Sequence, residues 1–188
     1  MLTGYSDPGR YRLIPSVPGR VLDLGCGSQK YPGAFGVDIS ADTDADLVRD
    51  LDQVPYPLED DGFDCVLMQD VIEHLANPYD VMAEVHRISR PGARVLLRTP
   101  HFSSVLAYTD PTHKHAFSSA AIHALAQPGF AHYTAARFRV VWVTIDLWFP
   151  FRALGIGWLA NRYPEPYEKY LAFRFPAMNL RAELEVIK

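Results

Sequence analysis

A short apolar run that ends in two glycines, followed by an acid at the end of the next such run, constrains this chain more than any other feature. The first run is Val21-Leu22-Asp23-Leu24 with the turn Gly25-Cys26-Gly27, and Asp38 lies near the end of Phe35-Gly36-Val37-Asp38-Ile39. Because glycine has no Cβ, a ligand can approach the backbone closely at such a turn. A carboxylate at the tip of the adjacent strand can accept hydrogen bonds from both hydroxyls of a ribose. An ordinary strand–turn–strand unit, with glycines that serve the turn alone, is the alternative.

Apolar runs recur along the rest of the chain, separated by segments with helical spacing or turn residues. This alternation is typical of a parallel sheet whose two faces are covered by the connections. Asn77-Pro78 marks a helix start, as an N-cap followed by a first-turn proline, and Pro91-Gly92 marks its end. The sequence predicts strands at 21–24, 35–39, 46–51, 63–68, 94–99, 138–147 and 181–186, the last half-exposed. It predicts helices at 77–89 and 117–126, and one or two short helices within 150–175.

Length, charge and cysteine content exclude several classes of protein. With 188 residues, 48% of them hydrophobic, the chain is expected to form one globular domain and not a disordered chain. A net charge of −4 is a poor match for nucleic acid, whose binding needs clustered positive charge. Cys26 and Cys65 lack metal-type spacing and are too few for a disulfide scaffold. The N-terminus has no signal-peptide pattern, so we expect a cytoplasmic protein.

The C-terminal part of the chain has a different composition. Residues 137–188 carry 8 Lys/Arg against 5 Asp/Glu and include all three Trp. Within it, residues 147–160 form a 14-residue run whose one charge is Arg152. This run is too short to span a bilayer, which needs about 20 residues, so we expect no stable membrane insertion. We predict a lid or wall of a ligand pocket, with a dimer face, an interfacial patch and a simple cover for the sheet as alternatives.

Several motifs together resemble one enzyme family. The run from Val21 to Gly27 resembles motif I of the class I S-adenosylmethionine-dependent methyltransferases, in their small bacterial methyltransferase-domain type. Asp38 matches the acid that binds the ribose, and Asp50-Leu51 matches the pair that binds the adenine. Gln69-Asp70-Val71-Ile72-Glu73-His74-Leu75 resembles the loop after strand 4, and Arg90-Pro91-Gly92-Ala93 resembles the turn into strand 5.

The resemblance implies a cofactor, a fold and a division of the chain. The cofactor is S-adenosylmethionine, and the product is S-adenosylhomocysteine. The fold is a Rossmann-like, doubly wound α/β fold with a mostly parallel sheet, an antiparallel C-terminal strand and a three-layer sandwich. Residues 1–188 form a single domain with an N-terminal arm (1–19), a cofactor-binding half (20–100) and a substrate-side half (101–188). The implied cofactor-binding residues are Asp23, Gly25, Cys26, Gly27, Asp38, Ile39, Asp50, Leu51 and Gln69.

Two departures from common dinucleotide-binding patterns are informative. Lys30 stands where the dehydrogenase fingerprint has its third glycine, which favours a methyltransferase over a nicotinamide enzyme. Ten residues separate Gly27 from Asp38, too few for the usual crossover helix. The sequence therefore predicts a shortened first crossover, with a clipped turn or a single helical turn at 29–33.

Histidines cluster in the irregular segment 101–116, where the acceptor substrate is expected. Histidine is well suited to proton transfer near neutral pH. The predicted catalytic residues are His74, His101, Asp110, His113 and His115. No metal is the main expectation; a divalent metal bound by His101, Asp110, His113 and His115 is one alternative, and a purely structural role for the loop is another.

The resemblance implies methyl transfer to an oxygen or nitrogen of a small molecule, in a secondary-metabolite or glycan pathway, because the chain has little room for a separate recognition domain. A protein or nucleic-acid methyltransferase is the alternative, although Gln69-Asp70-Val71-Ile72 differs from the Asn/Asp-Pro-Pro-Tyr motif of DNA amino-methylating relatives. A cofactor-fold binding subunit without catalysis is a second alternative. The expected partners are a small-molecule substrate, no nucleic acid, and a second copy bound through the aromatic C-terminal segment.

Overall fold

Residues 19–126 and 135–188 are described by a computed structural model, in which a seven-stranded sheet forms the centre. The strands are β1 (Val21–Leu24), β2 (Phe35–Asp38), β3 (Leu47–Val48), β4 (Phe63–Gln69), β5 (Ser89–Pro100), β6 (Phe138–Leu147) and β7 (Ala177–Val186). The helices are α1 (Pro78–Ile88), α2 (Leu106–Thr109), α3 (Ser119–Ala126), α4 (Phe149–Ala153), α5 (Ile156–Arg162) and α6 (Pro164–Tyr170), with a 3₁₀ turn at Ile72–His74. The predicted N-terminal arm lies outside the described residues except for Gly19.

The strand order is β3-β2-β1-β4-β5-β7-β6, with β1 to β5 parallel and β7 antiparallel to both of its neighbours. This order confirms the predicted Rossmann-like, doubly wound α/β fold with a mostly parallel sheet and an antiparallel C-terminal strand. From the central pair β1 and β4, successive strands are added in opposite directions along the sheet. The connection after β1 therefore leads to one side of the sheet and the connection after β4 to the other. Ligands of open α/β sheets bind in the crevice that such a reversal creates at the carboxyl ends of the strands.

Alternating side chains of the sheet fall into two apolar clusters of different size. Leu22 and Val66 face the larger cluster, which also contains buried side chains of α1, α3, α5 and α6. The smaller cluster consists of Val21, Ala34, Cys65, Leu67 and Leu96, and it has no member from a described helix. The buried residues of α1, α3, α5 and α6 thus all belong to the larger cluster. The short connection after β1 leaves no length for a crossover helix on the second face.

The connection between β1 and β2, which is described in full, contains turns and no helix. Carboxylates hold it instead. Oδ2 of Asp23 accepts a 2.8 Å hydrogen bond from the backbone N–H of Tyr31. Oδ2 of Asp46 accepts 2.7 Å hydrogen bonds from the backbone N–H of Gly36 and from Nζ of Lys30. The predicted shortening of the first crossover is thus present, and polar contacts take the place of helix packing.

The helix predicted at 77–89 is α1, and Asn77 caps it by accepting a 3.2 Å hydrogen bond from the backbone N–H of Tyr79. The helix ends earlier than predicted, because β5 begins at Ser89 and Pro91-Gly92 lies inside the strand. A register shift in the β4–β5 pairing accommodates the extra residues at this point. Proline and glycine here shape a bulge and do not stop a helix.

Two other segments differ from the prediction. The segment 101–116, predicted to be irregular, contains the four-residue helix α2. The strand predicted to be half-exposed is β7, which is longer and better covered because β5 and β6 pair with its two sides. The helices predicted within 150–175 are three in number, α4 to α6. No helix in the described ranges is long and apolar enough to cross a membrane.

Candidate functional site

The turn after β1 is shaped by two glycines in the left-handed region, Gly25 with φ +66° and Gly27 with φ +56°. The backbone N–H of Gly25 donates a 2.8 Å hydrogen bond to the carbonyl oxygen of Val37, which fastens the turn to β2. A Cβ on Gly25 would lie 2.3 Å from Cγ2 of Val71, so any side chain there would collide. Glycine keeps open the backbone surface that a ligand would contact.

Asp38 lies across from this turn at the end of β2. Its Oδ2 accepts a 2.8 Å hydrogen bond from the backbone N–H of Gly27, and its Oδ1 accepts one of 3.0 Å from Ser40. A carboxylate has about four lone-pair positions. Asp38 can therefore hold the glycine turn and still accept hydrogen bonds from a ligand.

A cavity of about 340 Å³ opens between these elements. Five of the nine predicted cofactor-binding residues line it: Gly25, Asp38, Ile39, Asp50 and Leu51. Gly27 lines an adjoining cavity. The structure thus brings together the residues predicted for the glycine turn, the ribose and the adenine.

The other three predicted cofactor-binding residues do not line either cavity. Asp23 holds the backbone of Tyr31, as described above, and Cys26 is fully buried beneath the turn. Gln69 donates a 3.1 Å hydrogen bond from Nε2 to the carbonyl oxygen of Leu96. In the structure the side chains of Asp23 and Gln69 thus support the loop and the sheet.

The adjoining cavity has a volume of about 520 Å³ and shares Asp70 with the first. Asp70 follows β4 in the left-handed region with φ +57°, and Nε of Arg98 donates a 3.1 Å hydrogen bond to its Oδ1. Glu73, Asp110 and His113 also line this cavity. Its wall therefore has three carboxyl groups and one guanidinium group, which is already paired.

The two adjoining cavities together form a cleft. Two of the predicted histidines, His74 and His113, contact each other there. Their ring centroids are 4.6 Å apart in an edge-to-face arrangement. His74 lines the first cavity and His113 the second. Burial, and then the neighbouring His113, lower the pKa of His74 below its usual range. A lowered pKa keeps the His74 imidazole neutral near pH 7.

Glu73 stands beside these rings and has almost no exposure, 1%. Its Oε2 accepts a 3.0 Å hydrogen bond from Oγ1 of Thr99, while Oε1 has no hydrogen-bond partner among the residues that the structure describes. Burial, with a further contribution from Asp70, raises the pKa of Glu73 to about 7. A buried carboxyl group that lines a cavity in this way is a candidate for function.

His101 and His115 are not in the cleft. The His101 side chain is fully buried, with Nδ1 2.8 Å from Oγ of Ser103 and Nε2 3.3 Å from Oε1 of Glu168. His115 is exposed, and its ring lies edge-on to Phe117. The structure therefore places these two predicted catalytic residues, which also belong to the alternative metal set, away from the two cavities. Asp110, another of the predicted catalytic residues, lines the second cavity.

The sequence interpretation left out Asp70, Glu73, Arg98 and Lys114 as site residues, although all four line the cleft. The sequence did contain a signal for Glu73, because this acid stands in a short run with the apolar residues Ile72 and Leu75. Arg98 had no local signal, because its pairing with Asp70 depends on the register of β4 against β5.

Comparisons with known proteins agree with this geometry. A family model described as "Methyltransferase domain" matches residues 8–141. A SAM dependent methyltransferase from Archaeoglobus fulgidus matches with a TM-score of 0.61 at 18% identity, covering 88% of this chain and 85% of that chain. One from Mesorhizobium loti matches with a TM-score of 0.62 at 17% identity, covering 95% and 96%.

A curated relative is an uncharacterised 37.1 kDa protein in transposon TN4556 of Streptomyces fradiae, which is 29% identical over 45% of this chain and 31% of that protein. The chain thus spans about a third of the length of the curated relative that it matches. The two solved structures, below 20% identity, show the fold alone.

Proposed function

This chain belongs to the class I S-adenosylmethionine-dependent methyltransferases, and from that premise we propose that it methylates an oxygen or nitrogen of a small molecule. The observation that carries the proposal is the pair of cavities that meet at Asp70. One has the chemistry expected for the cofactor, and the other has the size and polarity expected for a small acceptor.

The first cavity fits the cofactor. Asp38 offers a carboxylate to ribose hydroxyls, and Asp50 offers one to the exocyclic amine of adenine beside the backbone of Leu51. Position 25 in the wall of this cavity needs a glycine, because a Cβ there would collide with Val71, which also lines the cavity. Bound S-adenosylmethionine supplies an electrophilic methyl group on its sulfonium sulfur. The residues of the chain hold the cofactor and position the acceptor in line with that methyl group, which accounts for much of the rate enhancement in such reactions.

The second cavity supports a small, uncharged or cationic acceptor. Asp70, Glu73 and Asp110 line it against a paired Arg98. Carboxylates repel phosphate groups and accept hydrogen bonds from hydroxyl and amine groups. A volume of about 520 Å³ lies in the range of small-molecule sites. These features favour a small acceptor over a nucleic acid, which belongs to the alternative that the sequence analysis left open.

A third cavity of about 620 Å³ lies on the other side of α2. Its lining is mostly apolar and includes Val105, Tyr108, Trp148 and Phe151. α2 separates it from the second cavity, because Leu106 and Thr109 face that side. We propose that an apolar part of the acceptor extends past α2 into this third cavity, where residues 147–160 form a wall. A dimer face made by the same residues is the alternative.

The test has two stages. Calorimetry first measures binding of S-adenosylhomocysteine to the purified chain. The chain is then incubated with S-adenosylmethionine labelled on the methyl group and with a panel of small phenols, sugars and amines, and parallel incubations contain RNA or protein instead. The expected result is a labelled small molecule together with S-adenosylhomocysteine.

Each stage can contradict a different part of the proposal. Absence of S-adenosylhomocysteine binding would contradict the cofactor assignment. Binding accompanied by label in RNA or in protein, and in none of the small molecules, would show that the macromolecular alternative is right. Binding with no transfer to any acceptor favours the reading as a non-catalytic binding subunit.

A further inference from the structure

We propose that Glu73, His74 and His113 form a binding site for a divalent transition-metal ion at the border of the two cavities. One ligand-type atom from each of the three residues lies within 4.8 Å of the others. The set differs from the metal alternative raised by the sequence, with which it shares His113 alone. Two imidazoles and one carboxylate are a common protein ligand set for such ions.

The first argument is the buried carboxylate. Oε1 of Glu73 has no hydrogen-bond partner among the described residues, although the side chain is 1% exposed and lines the second cavity. Its other oxygen already accepts a hydrogen bond from Thr99. An unsatisfied buried carboxylate oxygen costs free energy unless a cation or a donor meets it.

The second argument is the orientation of His113. Its Nδ1 lies 3.0 Å from the carbonyl oxygen of Ala107, which can only accept a hydrogen bond. Nδ1 therefore carries the proton, and Nε2 of the neutral ring carries a free lone pair. Metal-binding histidines commonly have their second ring nitrogen fixed by a backbone carbonyl in this way.

The protonated ring nitrogen of His74 can be assigned in the same way, from two hydrogen bonds made by Thr112. Oγ1 of Thr112 lies 2.6 Å from Oδ1 of Asp110 and 2.9 Å from Nδ1 of His74. The hydroxyl has one proton, and the short bond to the carboxylate uses it. Nδ1 of His74 must then donate to Thr112, which leaves the lone pair of His74 on Nε2.

With Glu73 ionised, Oε1 of Glu73 and the assigned Nε2 atoms of His74 and His113 carry lone pairs and no proton. One potential ligand atom of each residue lies within 4.8 Å of the others, and acceptors this close repel one another unless a cation or a proton lies between them. The chain also holds the ligands in place, because the backbone N–H groups of Lys114 and His115 donate to the carbonyl oxygen of Glu73 at 2.7 and 3.2 Å. These bonds tie the segment that carries His113 to the turn that carries Glu73 and His74.

The ligand chemistry indicates the class of ion. Imidazole suits zinc, copper, iron and nickel ions, whereas magnesium prefers an all-oxygen shell with several waters. Three protein ligands leave coordination positions open, as in catalytic zinc sites. These positions would face the second cavity, where Asp70 and Asp110 also lie. On the proposed function, which this last step assumes, the ion would bind the oxygen of the acceptor.

The test uses the untagged full chain after removal of metal with a chelator. Calorimetry titrates Zn²⁺ and Mn²⁺, with Mg²⁺ for comparison, and Co²⁺ absorption reports the ligand set. We expect one ion per chain, with Zn²⁺ bound more tightly than Mg²⁺. His113→Ala and His74→Ala should each weaken binding more than the about 10–100-fold typical of losing an outer partner. Thr112→Val, which removes the hydroxyl that orients His74, should fall in that 10–100-fold range.

His115→Ala is the matched control, because it removes an imidazole two residues from His113 that does not reach the cluster, and it should leave affinity unchanged. Glu73→Gln tests the carboxylate, and thermal melting checks that each variant is folded. The proposal is wrong if the wild-type chain binds no ion, or if His115→Ala lowers affinity as much as His113→Ala does.

The readout is separate from methyl transfer. Metal binding without S-adenosylhomocysteine binding would contradict the proposed function and leave this site in place. S-adenosylhomocysteine binding without metal binding would contradict this site and leave the function in place.

Discussion

The backbone N–H of Gly27 donates a 2.8 Å hydrogen bond to Oδ2 of Asp38, so one carboxylate both shapes the glycine turn and faces the first cavity. Glycine flexibility alone would leave this turn with many conformations. The carboxylate selects one, in which the backbone surface at Gly25 is exposed to a ligand. The turn and the acid are therefore one structural unit, although they lie on different strands.

Asp38→Ala should weaken binding of S-adenosylhomocysteine by about 10- to 150-fold, because a hydrogen bond to a charged group contributes about 1.5–3 kcal/mol. Calorimetry measures the affinity directly. Asp42→Ala removes the same charge from an exposed position four residues away and should leave affinity within twofold. Equal affinities for the two variants would show that Asp38 does not contact the cofactor.

His101→Ala should destabilise the chain by about 2–4 kcal/mol, because it creates a buried cavity and removes a partner of Glu168. Affinity for S-adenosylhomocysteine should stay unchanged, since His101 lines neither cavity of the cleft. Urea unfolding and calorimetry give the two quantities. A variant that is as stable as the wild type but turns over substrate slowly would restore the catalytic role predicted from the sequence.

The stability of the chain should depend on the ionisation of Glu168. Burial acts to raise the pKa of this carboxyl, but the hydrogen bonds from His101 and from the backbone N–H of Ser119 outweigh it and hold the pKa below its usual value of 4.5. The folded chain thus binds this proton less readily than the unfolded chain. The stabilisation is complete above pH 4.5 and is lost as the pH falls through the lower, folded value.

Glu168→Gln should accordingly lower the free energy of unfolding at pH 7, and the difference from the wild type should shrink below pH 4.5. Urea unfolding at a series of pH values tests this. Glu165→Gln, on the same helix but exposed, controls for the change of net charge. A difference that grows on acidification would contradict the assigned direction.

Residues 147–160 should be protected from hydrogen exchange by the acceptor substrate, in protein already saturated with cofactor. Trp148 and Phe151 line the apolar cavity on the other side of α2, so an acceptor whose apolar part extends past α2 would cover them. Exchange measured by mass spectrometry at two protein concentrations separates the alternatives. Protection that ignores substrate and increases with protein concentration would identify a dimer face, and the prediction of a pocket wall would be wrong.

Features that are local in sequence were predictable. The glycine turn, Asp38 and Asp50 each follow a strand within a few residues, and parallel strands bring their carboxyl ends to one edge. The N-cap at Asn77 depends on contacts two or three residues away. Such features depend little on packing, so residue type and spacing are sufficient to find them.

The roles of the histidines were not predictable in this way. His101 and His113 lie in one irregular segment and look alike in sequence. The backbone of the segment makes them different, because it turns at α2 and places His101 beneath Glu168 and His113 beside Glu73. Asp23 and Gln69 were predicted to contact the cofactor, and the structure gives their side chains partners in the protein, Tyr31 and Leu96, that spacing alone does not reveal.

The connection from β1 to β2 has a consequence for turnover. Only Tyr31 and Ala34 of this connection belong to the smaller apolar cluster. The carboxylates of Asp23, Asp38 and Asp46 hold the rest of the connection by hydrogen bonds. If a crossover helix stood in this position, its apolar face would have to separate from the sheet before the entrance to the cofactor site could widen. This loop can open by breaking individual hydrogen bonds, each with a net contribution of about 0.5–3 kcal/mol. We therefore expect S-adenosylhomocysteine to be released when the loop opens locally. The release rate should rise with salt concentration, because salt weakens the charged contacts that hold the loop.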